Sequence, residues 1–159
     1  VFSHALDVTK NNYLAHNSHA SALLEKGETQ RAIYHYDNAI RINNYPAANY
    51  NKGVIYFRLG QYQKAILSFN EAIRIRPDYA EAYYNLGIIY HGLNRPQVAI
   101  KNFDEAIRIM PNHANAYNNR AFIYLNMKNN FAGCSNALKA CQLGNCKTLT
   151  WARNQGICN

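Results

Sequence analysis

Long apolar runs are missing from this sequence of 159 residues. No stretch approaches the roughly 18 apolar residues that a membrane-spanning helix needs, and no basic segment followed by an apolar one marks a signal peptide. No segment alternates apolar and polar residues with a period of two, so strands are not expected. Because the chain begins at Val1 rather than Met, we expect it to be a piece of a longer protein, in which other residues could set its location.

The residue patterns of enzymes are also missing. There is no glycine-rich phosphate loop, and no serine or cysteine nucleophile has an evident base beside it. His16 and His19 share a predicted helical face, with His35 as a candidate neighbour, but two histidines without an assured third ligand are a weak metal signal. We therefore predict no catalysis, no metal site and no cofactor, and we expect these histidines to pack or to line a groove.

Acidic residues are scarce, because nine Asp and Glu stand against 17 Lys and Arg, which gives a net charge of +8. Such an excess raises the question of nucleic-acid or membrane-surface binding. The cations are spread along the chain, however. Arg41, Arg74 and Arg108 recur at a nearly fixed step and close predicted helices, where the negative end of the helix dipole favours a cation. We expect a solvated basic face, no nucleic-acid partner, and membrane contact only through residues outside this sequence.

What the sequence does contain is a repeat of about 34 residues, visible where segment 80–87 recurs as 114–121 without a gap. A fixed period of this length marks a solenoid of helix–turn–helix units. Small residues recur at the same step, where two helix backbones must approach closely. They form three series: Ala20, Gly53, Gly87 and Ala121; Ala32, Ala65, Ala99 and Gly133; Ala39, Ala72, Ala106 and Ala140.

Turn signals separate the predicted helices at the same period. Gly27 and Gly60 are expected to end first helices in the left-handed conformation that glycine adopts without strain. Prolines at 77 and 111 are expected to end second helices, and the residues after them, Asp78 and Asn112, to cap the next first helices.

The pattern resembles the tetratricopeptide repeat family, most specifically in segments 46–79 and 80–113. The family's order of small, aromatic, small, aromatic, alanine and proline positions is met by Gly87, Tyr90, Ala99, Phe103, Ala106 and Pro111. The resemblance implies an all-α, right-handed superhelical solenoid of about four repeats plus a capping helix.

On this resemblance the chain divides into three parts. Residues 1–12 form a lead-in segment with at most a partial helix, and the array of residues 13–147 comprises 13–45, 46–79, 80–113 and 114–147. Residues 148–159 form a C-terminal capping helix, expected over 148–156, and a tail. Trp151 is expected to cover the exposed end of the core.

In tetratricopeptide arrays the first helices line a concave groove, and the resemblance places Asn51, Asn85 and Asn119 at one equivalent inward position, with Ser18 in the first repeat. The row resembles the asparagine ladder of the repeat domain of O-linked N-acetylglucosamine transferase. An inward amide can donate to and accept from one peptide unit at once. The alternative is that these amides bond to neighbouring helices and solvent. The predicted groove residues are Asn17, Tyr50, Asn51, Val54, Phe57, Arg58, Tyr84, Asn85, Ile88, His91, Asn118, Asn119, Phe122 and Leu125.

We therefore predict a protein–protein interaction module that binds an extended peptide or a partner helix of unidentified origin. Tetratricopeptide arrays that clamp the C-terminal carboxylate of heat-shock chaperones use Lys and Arg at set groove positions. Here the matching positions hold Asn17, Glu81 and Asn85, and Glu81 would repel a carboxylate, so this function is disfavoured. The first alternative is a scaffold that self-associates, as a homo-oligomer, through its repeat ends. An RNA-binding repeat or an accessory domain of a membrane glycosyltransferase is a weaker alternative.

All four cysteines lie in the last 26 residues, at spacings of 7, 5 and 12. Zinc sites favour shorter paired spacings, so disulfides fit better, although four buried thiols in a reduced cytosol remain an alternative. On the repeat model the chain reverses after residue 143 and runs back antiparallel. This predicts nested bonds Cys134–Cys158 and Cys141–Cys146.

The opening residues 2–17 resemble the junction found in bacterial multi-pass membrane glycosyltransferase-like proteins, which carry a tetratricopeptide region after their last membrane helix. Residues 141–146 resemble members of the same group. This resemblance implies a periplasmic or otherwise extracytoplasmic appendage that recruits protein partners, with a cytoplasmic location as the alternative.

Overall fold

The computed structural model describes residues 12–158, and every regular element within them is an α-helix. The chain forms two compact units, Val1–Pro77 and Asp78–Asn159. The predicted lead-in segment lies outside the described residues except for Asn12. The helices are α1 Tyr13–Glu25, α2 Thr29–Asn43, α3 Pro46–Arg58, α4 Tyr62–Ile75, α5 Ala80–Gly92, α6 Pro96–Ile109, α7 Ala114–Asn126, α8 Asn130–Gln142 and α9 Lys147–Asn154.

Consecutive helices pack as pairs. In the first unit α1 packs on α2 and α3 on α4, and in the second unit α5 packs on α6 and α7 on α8, while α9 contacts both α7 and α8. The first members of these pairs (α1, α3, α5 and α7) are the predicted first helices. The all-helical repeat fold expected from the sequence is confirmed.

Residues in the left-handed region end the first helices. Gly27 and Gly60 have φ values of +77° and +70°, as predicted. In the next two pairs the same role falls to Asn94 and Lys128, with φ values of +56° and +61°. Asparagine tolerates this conformation, whereas Lys128 is an uncommon occupant.

The predicted helix caps Asp78 and Asn112 are wrong by one residue. The cap of α5 is Tyr79, which makes no side-chain capping bond. The cap of α7 is His113, whose Nδ1 accepts a hydrogen bond from the Ala116 amide at 3.3 Å. The helices begin one residue later than the proline spacing suggests, so the side chain that meets the free amides is a different one.

Small residues allow large aromatic rings to be buried between paired helices. In the second unit Phe103 is fully buried, and a Cβ atom added to Gly87 would lie 2.5 Å from its ring. In the first unit Phe69 is equally buried, and a Cβ atom on Gly53 would lie 2.7 Å from it. Each glycine therefore fills the same structural role in its own pair, since only a residue without a side chain leaves room for the ring.

The capping helix α9 covers the end of the core with different residues from the one predicted. Leu149 and Ala152 are buried against α7 and α8, whereas Trp151 is 40% exposed. The amide of Thr148 donates to Asn118 Oδ1 at 3.0 Å, which ties the start of α9 to α7. Trp151 therefore does not cover the core, because Leu149 and Ala152 occupy the inward side of this short helix.

Two disulfides join the last helices and the tail. Cys134 in α8 is bonded to Cys158, with Cα atoms 5.6 Å apart, and Cys141 is bonded to Cys146, with Cα atoms 4.0 Å apart. These are the pairs predicted from the sequence. The first bond holds the tail against α8, and the second closes the turn between α8 and α9.

Candidate functional site

In the first unit the predicted groove residues lie on α1 and α3. Asn51 Nδ2 donates to Asn17 Oδ1 at 3.5 Å, so these two amides face each other across the two first helices. The ring of Tyr50 lies 5.7 Å from that of Phe69, and the ring of Phe57 lies 6.0 Å from that of Tyr62. Of the two other predicted residues on α3, Val54 is half-buried and Arg58 is exposed.

Asn51 also takes part in the network around a buried tyrosine. The hydroxyl groups of Ser21 and Tyr36 are 3.0 Å apart. Burial raises the pKa of Tyr36, and hydrogen bonds with Ser21 and Asn51 oppose this rise. The Asn51 amide is therefore partly engaged by hydrogen bonds within the protein. This agrees with the alternative that these amides bond to neighbouring helices.

In the second unit Asn85 and Asn119 likewise make internal hydrogen bonds. Asn85 Nδ2 donates to the Glu81 carbonyl oxygen at 2.8 Å, within its own helix. Asn119 Nδ2 donates to the Tyr84 hydroxyl at 3.3 Å, and burial raises the pKa of that phenol while this bond lowers it. Asn119 Oδ1 accepts from Asn118 Nδ2 at 3.5 Å. Both hydrogen bonds of Asn119 are longer than the usual range for N–H···O bonds.

Three aromatic rings lie side by side on the second unit, and we refer to His91, Phe122 and Trp151 as the aromatic row. The Phe122 ring centroid is 6.0 Å from that of His91 and 5.8 Å from that of Trp151. All three side chains are exposed, with 38% of Phe122 and 40% of Trp151 accessible. Ile88, also predicted for the groove, is half-buried in the α6–α7 core cluster.

Two predicted groove residues are not accessible to a ligand. Leu125 is buried in the core beneath α8 and α9, and Asn118 is buried with its Oδ1 bonded to Thr148. Both lie on the side of α7 that the capping helix covers. The sequence predicts a capping helix over 148–156, but the repeat pattern does not show that this helix covers Asn118 and Leu125.

Trp151 was missed as a member of this surface. A signal for it exists in the sequence, because Tyr83, Tyr117 and Trp151 are separated by 34 residues each. The 34-residue spacing of these aromatic residues therefore continues into α9.

The three histidines singled out in the sequence cluster between α1 and α2. His16 Nδ1 lies 2.9 Å from His35 Nδ1, and the rings of His19 and His35 are 4.5 Å apart. Between residues 12 and 158, no group of three or more His, Cys, Asp and Glu is arranged to hold a metal ion. The two Nδ1 atoms share a hydrogen bond, which requires at least one of the rings to be neutral.

This cluster predicts a pH-dependent stability. Burial, followed by repulsion from His19, His16 and Arg31, lowers the pKa of His35 to about 4. Because the unfolded chain binds this proton more readily, the free energy of unfolding should be maximal above about pH 6.5 and fall as the pH approaches about 4. Urea unfolding near pH 7 and near pH 4.5 measures the effect. The His35→Gln variant should show a smaller loss, whereas His91→Gln, an exposed control on the other unit, should behave as the parent.

Among the helices of residues 12–158, none combines the length and the hydropathy that a membrane span requires.

Two family models match the repeats: one described as TPR repeat at residues 20–60 and 53–94, and one described as tetratricopeptide repeat at residues 80–113. Together they span more than half of the chain. The curated human protein Tetratricopeptide repeat protein 6 is 30% identical over 79 residues, which are 50% of this chain and 15% of that protein. The chain therefore spans only a small part of that relative's length.

Solved structures share the fold. PilF from Pseudomonas aeruginosa aligns with a TM-score of 0.85 at 19% identity, covering 93% of this chain and 69% of that one. MamA from Desulfovibrio magneticus RS-1 gives 0.76 at 22% identity, covering 89% of this chain and 81% of that one. The APC/C hetero-tetramer Cut9–Hcn1 also gives 0.76, at 19% identity, covering 90% and 29%.

These matches give no support to the predicted origin from a membrane glycosyltransferase-like protein. Much of the opening segment behind that prediction, residues 2–17, lies outside the described residues. The family matches over residues 20–113, together with the helix pairs and the buried glycine–phenylalanine contacts within them, show that the chain belongs to the tetratricopeptide repeat family.

Proposed function

We propose that this chain is a protein-interaction module that binds an extended peptide segment on the first-helix face of its second unit. The tetratricopeptide fold supports an interaction or scaffold role. The observation that carries the finer proposal is the aromatic row, in which His91, Phe122 and Trp151 lie 6.0 and 5.8 Å apart and exposed. A continuous exposed row of rings is a surface that a partner would cover.

Aromatic rings suit a tolerant peptide-binding surface because they offer a large contact area and lose little conformational entropy on binding. Asn85 and Asn119 belong to the same unit and lie on the two helices that carry His91 and Phe122. An amide can bond to a peptide unit whatever side chain follows, and each such bond contributes on the order of 1 kcal/mol. The combination favours an extended backbone with apolar anchors.

The charges of the predicted groove argue against two other ligands. Glu81 is half-buried on α5 and would repel a terminal carboxylate, so an internal peptide segment is the better ligand. Of the predicted groove residues, Arg58 is the single Lys or Arg, and it belongs to the first unit. RNA binding would require several cations along this surface.

The double substitution Asn85→Ala and Asn119→Ala tests the amides of this unit. Peptides selected from a random dodecapeptide display library on the unsubstituted chain should bind this variant at least about tenfold more weakly, since two hydrogen bonds of about 1 kcal/mol each are lost. Fluorescence anisotropy measures the affinity, and circular dichroism should show an unchanged fold.

A matched control is Asn102→Ala on the second helix α6. Asn102 Nδ2 donates to the Val98 carbonyl at 2.8 Å, the same bond that Asn85 makes with Glu81. The control should leave peptide affinity unchanged. Equal affinity of the Asn85→Ala, Asn119→Ala variant and the unsubstituted chain would contradict the amide contribution. Light scattering that grows with protein concentration in the absence of peptide would instead favour the self-associating scaffold.

We further propose that this chain resides in an oxidising compartment, such as the periplasm or another extracytoplasmic space. The pairing of all four cysteines supports this, because structural disulfides persist where thiols are not continually reduced. Four free thiols in protein isolated from its native compartment would contradict the proposal.

A further inference from the structure

A cavity lies beside α8, the second helix of the last helix pair. It has a volume of about 470 Å³ and is bounded by α8, α9 and the tail that follows α9. Cavities of roughly 300–1,000 Å³ are typical of ligand sites in proteins. None of the residues around it belongs to the predicted groove or to the aromatic row, so it is distinct from the surface proposed above.

One wall of this cavity is apolar and unusually exposed. Phe131 in the first turn of α8 is 89% exposed and Leu138, two turns later, is 47% exposed. Leu149 of α9 and Ile157 of the tail complete the apolar lining. A partner that inserts an apolar side chain into the cavity would shield the exposed Phe131 ring from water.

The charge of the cavity has a single sign. Arg153 is the only charged residue in its lining, with Asn130 and Ser135 as polar neighbours. No Asp or Glu follows Glu105 in the sequence, whereas six Lys and Arg do. Of these six, Arg108 and Arg120 pair with carboxylates of α6, and within residues 12–158 Arg153 has no carboxylate partner. The end of the second unit is therefore a basic surface without internal neutralisation.

We propose that this cavity binds an acidic peptide segment, with an aliphatic or aromatic side chain inserted against Phe131 and Leu138 and an adjacent carboxylate on Arg153. A guanidinium donates two parallel hydrogen bonds to a carboxylate, which makes Arg153 the group that selects the charge of the ligand. The apolar wall selects for the inserted side chain. The site goes beyond the groove function, because it uses the second helix α8 and the cap instead of the first helices.

The Cys134–Cys158 disulfide makes this site dependent on oxidation. Both cysteines line the cavity, and the bond holds Ile157 and the tail against α8. Without the bond the tail is no longer tied down and the wall formed by Ile157 is lost. Binding in this cavity should therefore require the oxidised chain.

The test uses three fluorescein-labelled heptapeptides with a central leucine, flanked by glutamates, by glutamines or by lysines. The full chain should bind the glutamate peptide about two- to fivefold more tightly than the glutamine peptide, which is the usual contribution of an exposed ion pair such as that between Arg153 and a glutamate. Added salt should reduce this difference. The lysine peptide should not bind. Equal affinity for the glutamate and glutamine peptides would overturn the proposal.

Matched variants locate the site. Arg153→Gln should remove the preference for glutamate, and Arg153→Lys should retain part of it. Lys139 is an exposed cation on α8 that does not line the cavity. The Lys139→Gln variant should therefore keep the full preference for the glutamate peptide. Phe131→Ala should weaken the glutamate and glutamine peptides alike, and being 89% exposed it should not affect folding.

Two further results separate this site from the groove. The pair Asn85→Ala and Asn119→Ala should leave binding of the glutamate peptide intact, whereas dithiothreitol should weaken it. A glutamate preference that survives Arg153→Gln, or that the Asn85 and Asn119 substitutions abolish, would show that the peptide binds elsewhere and would refute the proposal.

Discussion

Replacing Phe103 by alanine should lower the free energy of unfolding by about 3–5 kcal/mol, which is the usual cost of truncating a buried aromatic ring. Phe103 is fully buried between α5 and α6, and its ring fills the space left by Gly87. Because stability in repeat proteins depends on contacts between neighbouring helices, the loss should be largest in the second unit. Urea unfolding and amide hydrogen exchange measure the total loss and its location.

A double-mutant cycle tests the contact itself. Gly87→Ala alone should destabilise by about 1–3 kcal/mol, because its Cβ atom would lie 2.5 Å from the Phe103 ring. In the Phe103→Ala background the same change should stabilise by up to about 1 kcal/mol, since alanine favours a helix and the ring no longer obstructs it.

Gly92→Ala is the control for this cycle. Gly92 belongs to the same helix, and an added Cβ atom there meets nothing within 4 Å. This substitution should be neutral or stabilising in both backgrounds. If Gly87→Ala behaves as Gly92→Ala does in the parent chain, the glycine–phenylalanine contact is not what sets the distance between these helices.

Removal of the Cys134–Cys158 bond should produce the second large effect. The bond closes a loop with a sequence separation of 24, for which the chain-entropy estimate gives about 3.5 kcal/mol of stabilisation. The double substitution Cys134→Ser and Cys158→Ser should lower the free energy of unfolding by up to this amount. The tail and α9 should then exchange their amide hydrogens before the rest of the unit.

The second disulfide provides an internal comparison. Cys141 and Cys146 are separated by only 5 residues, so the same estimate gives about 2 kcal/mol. Its removal should cost less than that of Cys134–Cys158. A parent chain whose stability does not change on full reduction would contradict a stabilising role for both bonds.

The repeat positions of the fold could be predicted because they depend on residue type alone. Gly53 and Gly87 recur with Phe69 and Phe103 at a fixed step, and the structure places each glycine against its phenylalanine. The caps could not be predicted as reliably. Either Asn112 or His113 could cap the free amides of α7, depending on the residue at which the helix begins. The proline spacing does not determine that residue to within one position.

The candidate site was predictable only in part. The row of asparagines was visible in the sequence, but their internal bonds to Glu81 and Tyr84 depend on which helices they face. The orientation of α9 was not predictable, since an eight-residue helix with apolar residues at 149 and 151 has two candidate inward faces. The structure buries Leu149 and turns Trp151 to the aromatic row.

The sequence by itself determined the family, the helix pairs and the small residues at which paired helices approach, because a 34-residue recurrence of small and large side chains is compatible with few other folds. Only the tertiary structure decided that Asn118 and Leu125 are covered by α9, that the Trp151 ring lies beside that of Phe122, and that Arg153 and Phe131 line one cavity. These arrangements occur around α9 and the tail, which do not form a further helix pair within the described residues. The contacts of this short helix and the Cys134–Cys158 disulfide set the packing there.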